Sequence, residues 1–180
     1  MQNGRYGPDF LELFRLFDDA FEIPKFEIVN DQVIPEPYQG LLVHPHHMTV
    51  TVENFYHGPV HVQVLDRRRD GDIYSRKILL VLALSGRVVQ FGIVRIQLQH
   101  CSEKVREAIL SESAPLGRIL IENDVLRCIK PTAYLRITTN TQLSNYFGLA
   151  APTDVWGRLA LIHCDGRPAI ELLEVLTPIH

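Results

Sequence analysis

Cysteine is scarce in this chain: Cys101, Cys128 and Cys164 are odd in number, far apart and without a Cys-x-x-Cys pair. That pattern argues against a disulfide framework or a cysteine-built metal site, and fits reduced thiols in a cytoplasmic protein. Long apolar runs are missing too. The longest, Ile78 to Leu84, has strand length and falls well short of the roughly 20 residues that span a bilayer. The opening Met1-Gln2-Asn3-Gly4-Arg5 lacks the apolar core of a secretion signal. Nor is there an excess of one charge. The formal net charge is -3, and the one basic run, Arg67-Arg68-Arg69, is bracketed by Asp66 and Asp70. It reads as a solvated strand end and turn, so nothing electrostatic calls for nucleic acid. Repeats, low-complexity tracts and linkers are also absent. What remains is an ordinary globular balance, 46% hydrophobic and 22% charged, which predicts one domain over residues 1–180 with a substantial core.

Periodicity places the elements. Phe10, Leu13, Phe14 and Phe17 line one face of a helix from Pro8 to Ala20. Ile23 to Pro37, with its prolines and Asn30-Asp31, reads as an extended or irregular connection. Gly40 to Tyr56 reads as a helix broken near Pro45. Val60, Val62 and Val64 then alternate with His61, Gln63 and Leu65, a strand pattern. With Ile73–Ala83 and Val88–Leu98, across turns at Asp70-Gly71-Asp72 and Ser85-Gly86, it forms an antiparallel meander. Helices are expected from Ser102 and from Pro115-Leu116-Gly117-Arg118, and a short one over Gln142–Leu149. Strands are expected at Ile129–Thr138, Val155–His163 and Ala169–Leu176. The fold class is α+β: about six antiparallel strands with helices on one face.

Two charges stand out against this scaffold. Arg76 lies in Tyr74-Ser75-Arg76-Lys77-Ile78-Leu79-Leu80 and Glu174 in Leu172-Leu173-Glu174-Val175-Leu176, each among residues that belong in a core. A charge carried into a low-dielectric interior needs a partner or a task. An arginine fork and a carboxylate around one cavity would grip a small organic acid at one end and handle protons at the other. Each also has a plainer reading: an edge-strand arginine with a snorkelling stem, and an exposed hairpin acid beside Glu171. His44, His46, His47, His57 and His61 invite a metal or a pH-sensitive flap. Gly58-Pro59 breaks any helix that would pair His57 with His61, however, and we expect no metal.

Three stretches together resemble the bacterial chorismate lyase family. They are Ser75-Arg76-Lys77-Ile78-Leu79-Leu80 with Phe91-Gly92-Ile93-Val94; Ala114-Pro115-Leu116-Gly117-Arg118; and Trp156-Gly157-Arg158, Gly166-Arg167-Pro168 and Glu174 before Pro178. Their order and spacing match over about residues 40–178. The resemblance implies an antiparallel sheet holding a buried ligand cavity under helical flaps. It implies that Arg76 grips a carboxylate, that Glu174 faces the 4-hydroxyl side, and that the backbone N–H groups of Leu116 and Met48 complete the carboxylate clamp. Two departures are visible. An arginine follows the equivalent of Gly92 in well-known members, where this chain has Ile93, and Arg95, two residues on, is the candidate substitute. Compared with some members, one extra residue also lies between Gly166 and Glu174; either a bulge absorbs it or the family varies in turn length.

The implied activity is elimination of pyruvate from chorismate to give 4-hydroxybenzoate, a step of quinone or other phenolic biosynthesis, with Arg76 as anchor and Glu174 as acid or base and with no cofactor. The alternative is a non-catalytic effector-sensing domain of the same fold for aromatic acids. Either way the expected partner is a small aromatic or cyclohexadiene carboxylate. Neither nucleic acid nor a membrane is expected, and a monomer is favoured.

Overall fold

The computed structural model describes residues 7–17 and 22–179. Seven strands form a single antiparallel sheet: β1 (Lys25–Val29), β2 (Val60–Asp70), β3 (Ile73–Leu82), β4 (Val88–Gln97), β5 (Arg127–Thr138), β6 (Asp154–Cys164) and β7 (Arg167–Leu176). Their order across the sheet is β1-β5-β6-β7-β4-β3-β2. The helices are α1 (Phe10–Phe14), α2 (Tyr38–Leu42), α3 (Met48–Tyr56), α4 (Glu103–Leu110), α5 (Leu116–Glu122) and α6 (Thr141–Phe147). The α+β class and the antiparallel sheet agree with the sequence reading, and the seventh strand, β1, comes from the stretch read as a connection. It is short, ends at Asn30, and sits at the sheet edge with Ile28 63% exposed, so only Phe26, stacked on Phe10 at 4.0 Å between ring centroids, signals burial.

Alternation along the strands divides the core. Leu79, Val81, Phe91, Ile93, Leu173 and Val175 point to one face, where α1 and α6 cover them with Phe10, Leu13, Phe14 and Leu143. The opposite face carries α2 to α5: Val105, Ile109, Ile119 and Leu120 pack over Val94, Ile96 and Ile170, while Leu41, Leu42, Met48 and Val52 pack over Ile78, Leu80 and Leu176. The four central helices thus share one face, as expected, and two short ones close the other. The periodicity read as a helix to Ala20 is helical over Phe10–Phe14, where Asp9 caps the first turn through Leu11 and Glu12 N–H groups. Asp18 to Ala20 and Met1 to Arg5 lie outside the described residues.

The strand order positions the site. β4 lies between β3 and β7, with Arg76 opposite Val94 and Val94 opposite Leu172; Ile78 is opposite Gly92 and Gly92 opposite Glu174. Arg76 and Glu174 therefore face the same side, one strand apart and two residues out of register. Standard sheet spacings put their Cα atoms about 12 Å apart. The extra residue before Glu174 is absorbed in the β6–β7 hairpin. Ile162 faces Ile170 but His163 faces Pro168, so Ala169 is bulged, and Glu174 keeps its inward face.

Candidate functional site

Between the sheet and the first turns of α3 and α5 lies a cavity lined by Arg76, Gln90, Gly92 and Glu174 below and by His47, Met48, Thr49, Leu116 and Gly117 above. The hollow is narrow, about 50 Å³. Gly92 supplies its floor: a Cβ there would come within 3.3 Å of Ile78 Cδ1 and of the Leu173 carbonyl. Ile78, Leu80, Val62, Ile162 and Leu172 make the side walls apolar.

Arg76 is 1% exposed. Its Nε and Nη1 are enclosed and find no hydrogen-bond partner among the described residues. Burial pulls its pKa below the usual arginine value, and the nearby Tyr74 and Glu112 pull it back. Glu112 accepts from the Tyr74 hydroxyl at 2.5 Å and from Arg67 at 2.5 Å. Burial and that bond to Glu112 push Tyr74 up to about 12. With only this partial compensation, the Arg76 guanidinium lines the cavity as a group able to take a carboxylate.

Glu174, 7% exposed, accepts from Arg158 Nε at 2.7 Å. Arg158 is fully buried and spends its other donors on the carbonyls of Leu42 (3.1 Å), His44 (2.8 Å) and His46 (2.9 Å). It fastens the α2–α3 connection to the sheet through the acid of the cavity. Gly157 lets β6 and β7 approach: a Cβ there would lie 2.6 Å from the Glu174 carbonyl oxygen.

Met48 and Leu116 open α3 and α5, and neither helix has a side-chain cap. Their first-turn N–H groups therefore need another acceptor. Gly117 permits the two helix starts to meet, since a Cβ there would be 3.0 Å from His47 Cβ and Thr49 Oγ1. His47 closes this roof. Its Nε2 accepts from Arg127 Nε at 2.6 Å, and burial, followed by the charges of Arg127 and Arg158, lowers its pKa to about 4. The imidazole is neutral at neutral pH.

Arg76, Glu174, Met48 and Leu116 are thus brought together around one hollow. Arg95 is not with them. It opposes Ser75 and Glu171 on the other side of the sheet and is ion-paired with Glu171 and, at 3.5 Å, with Glu12 of α1. The even–odd alternation that sends Arg76 and Glu174 inward sends residue 95 outward. The side chain of Ile93 joins the same opposite core, although residue 93 also borders the cavity. Sequence reasoning missed Gln90, Arg158, Tyr74 and Glu112. Gln90 was hidden in an alternating strand with no charge to mark it, and Arg158 was absorbed into a motif read as packing. Among the described residues no group of three or more His, Cys, Asp or Glu side chains gathers as a metal site, the cysteines are free thiols, and no helix is long and apolar enough to cross a membrane.

No family model matches the sequence, and no curated protein matches it either. Solved structures do match in fold. The effector domain of PhnF from Mycobacterium smegmatis aligns with a TM-score of 0.51 at 12% identity, over 75% of this chain and 95% of that one. A PhnF structure from the same organism gives 0.53 at 10% identity, over 76% and 65%. Gene product SA0254 from Staphylococcus aureus gives 0.53 at 7%, over 75% and 90%. At these identities the likeness is one of fold.

Proposed function

We propose that this chain binds a small aromatic or cyclohexadiene carboxylate inside the cavity, as a ligand-sensing domain. One observation carries the reading: a fully buried guanidinium whose Nε and Nη1 have no partner and which lines an apolar hollow. A buried charge that its neighbours, here Tyr74 and Glu112, compensate only in part is destabilising and persists where a ligand supplies further counter-charge. The uncapped starts of α3 and α5 add N–H donors at the roof. The shared fold with the effector domain of PhnF supports a sensing role over catalysis. So does the placement of Glu174, one of whose oxygens is already taken by buried Arg158. Titration calorimetry with benzoate and 4-hydroxybenzoate tests the reading. Micromolar binding that disappears in Arg76→Met supports it, and no binding of any such acid by the folded protein removes it.

The second reading is a lyase, and the placement of Glu174 in the same cavity as Arg76 favours it. Arg76 would hold the ring carboxylate of chorismate while Glu174 takes a ring proton. The ether bond to the enolpyruvyl group breaks with its electron pair going to oxygen, the ring becomes aromatic, and the departing enolpyruvate takes up a proton in exchange for the one left on Glu174, becoming pyruvate. Such proton transfer contributes about 10²–10⁴ in rate. Following pyruvate and 4-hydroxybenzoate after adding chorismate decides it. Turnover lost in Glu174→Ala establishes the lyase, whereas binding without turnover leaves the sensor.

A further inference from the structure

Gln90 is 4% exposed, lines the cavity, and has an enclosed Oε1 with no hydrogen-bond partner among the described residues. It lies on β4 four residues from Val94, the residue opposite Arg76. That places its Cα about 14 Å from that of Arg76, at the far end of the hollow. A para-substituted benzoic acid, with a hydrogen bond of about 2.8 Å at each end, fills most of that length. Gln90 opposes Leu176, and Gly92 opposes Glu174, so Gln90 and Glu174 are diagonal neighbours about 8 Å apart at Cα, within reach of one substituent pattern. Glu174 has given Oε2 to Arg158, and its Oε1 has no bond within the described structure.

The hollow is therefore polarised. Donors without acceptors stand at the Arg76 end, and two acceptors without donors, Gln90 Oε1 and Glu174 Oε1, stand at the other end beside the Gln90 amide N–H groups. A buried acceptor left empty is destabilising, and a site built around one discriminates strongly against ligands that cannot donate to it. A single hydroxyl has one hydrogen and satisfies one of the two acceptors. We infer that the ligand carries a carboxylate at one end and two adjacent donor hydrogens, vicinal hydroxyls or an amine, at the other, and that Gln90 is the residue that selects for them. This rests on the carboxylate-binding reading above and specifies its ligand class.

The test is a calorimetric series with benzoate, 4-methoxybenzoate, 4-hydroxybenzoate and 3,4-dihydroxybenzoate on the wild-type chain, on Gln90→Leu and on Gln90→Met. In the wild type each added donor should tighten binding about tenfold, and the methoxy compound, an acceptor only, should gain less than the hydroxy compound. Both variants should keep benzoate within about threefold and lose about tenfold on the dihydroxy compound. A flat series in the wild type, with Arg76 still required for benzoate, overturns the role of Gln90 and leaves carboxylate binding intact. An unchanged gradient in both variants does the same. If none of the acids binds, both this inference and the carboxylate-binding reading fall. The wild-type gradient needs no variant to fold.

Discussion

Replacing Arg76 by methionine should weaken ligand binding and strengthen the empty protein at the same time. The guanidinium is 1% exposed and offers two unpartnered N–H groups to the cavity. Charge-assisted bonds of this kind contribute about 1.5–3 kcal/mol each, so losing both should weaken aromatic carboxylate binding by about 3–5 kcal/mol, or about 10²–10⁴-fold. In the unliganded protein the same group is a buried cation compensated only by the nearby Tyr74 and Glu112. Glu112 retains Arg67 and Tyr74 after the substitution. Methionine fills similar volume without charge, so the empty variant should gain about 1–2 kcal/mol and melt about 2–8 °C higher. Calorimetry with 4-hydroxybenzoate and urea unfolding without ligand read the two halves separately. A variant that binds as the wild type does, or that is less stable by more than about 2 kcal/mol, would show that Arg76 is structural and refute the reasoning.

Arg158→Met leaves Glu174 a buried, unpaired anion and frees the carbonyls of Leu42, His44 and His46. A loss of about 3–5 kcal/mol is expected in urea unfolding. Gly157→Ala forces a methyl against the Glu174 carbonyl, 2.6 Å from the ideal Cβ position; we expect a loss of about 3 kcal/mol, at the upper end for overpacking, read as a lower melting temperature. His47 has a folded pKa of about 4 against 6.5 in the unfolded chain. The unfolded state thus takes up the proton first, and its contribution is constant above about pH 6.5 and lost as pH falls toward 4. That loss is about 3 kcal/mol, and His47→Gln should flatten that part of the curve.

Most of the architecture was legible because the alternation of Val60–Val64 and the turns at Gly71, Gly86 and Gly166 state strand and reversal locally. β1 was not, because an edge strand with one buried aromatic looks like a loop. In the site, Arg76 and Glu174 were visible as charges among apolar residues, and the family resemblance located Met48 and Leu116 at the starts of α3 and α5. Arg95 was misplaced because the reading compared it with Ile93 without asking which face residue 93 occupies. Its true neighbours, Glu171 and Glu12, are set by pairing with β7 and by packing of α1, which no local pattern expresses. Gln90 escaped notice for a different reason. An uncharged amide in a strand has no signature until the coordinates show that its carbonyl is enclosed and unanswered.

The sheet does not close on itself: β1 and β2 end the strand order. An open border invites another chain to add a strand, and long, flat, apolar borders nucleate aggregates. β2 is eleven residues long, and its last five are Asp66-Arg67-Arg68-Arg69-Asp70, exposed from Arg67 onward. The triplet that superficially suggests a phosphate-binding patch thus lies on the longer of the two free borders, where strand addition would bring three like charges beside an incoming chain. Such charges oppose strand addition at this border, and through the Arg67–Glu112 pair the same run also reaches the acid beside Arg76.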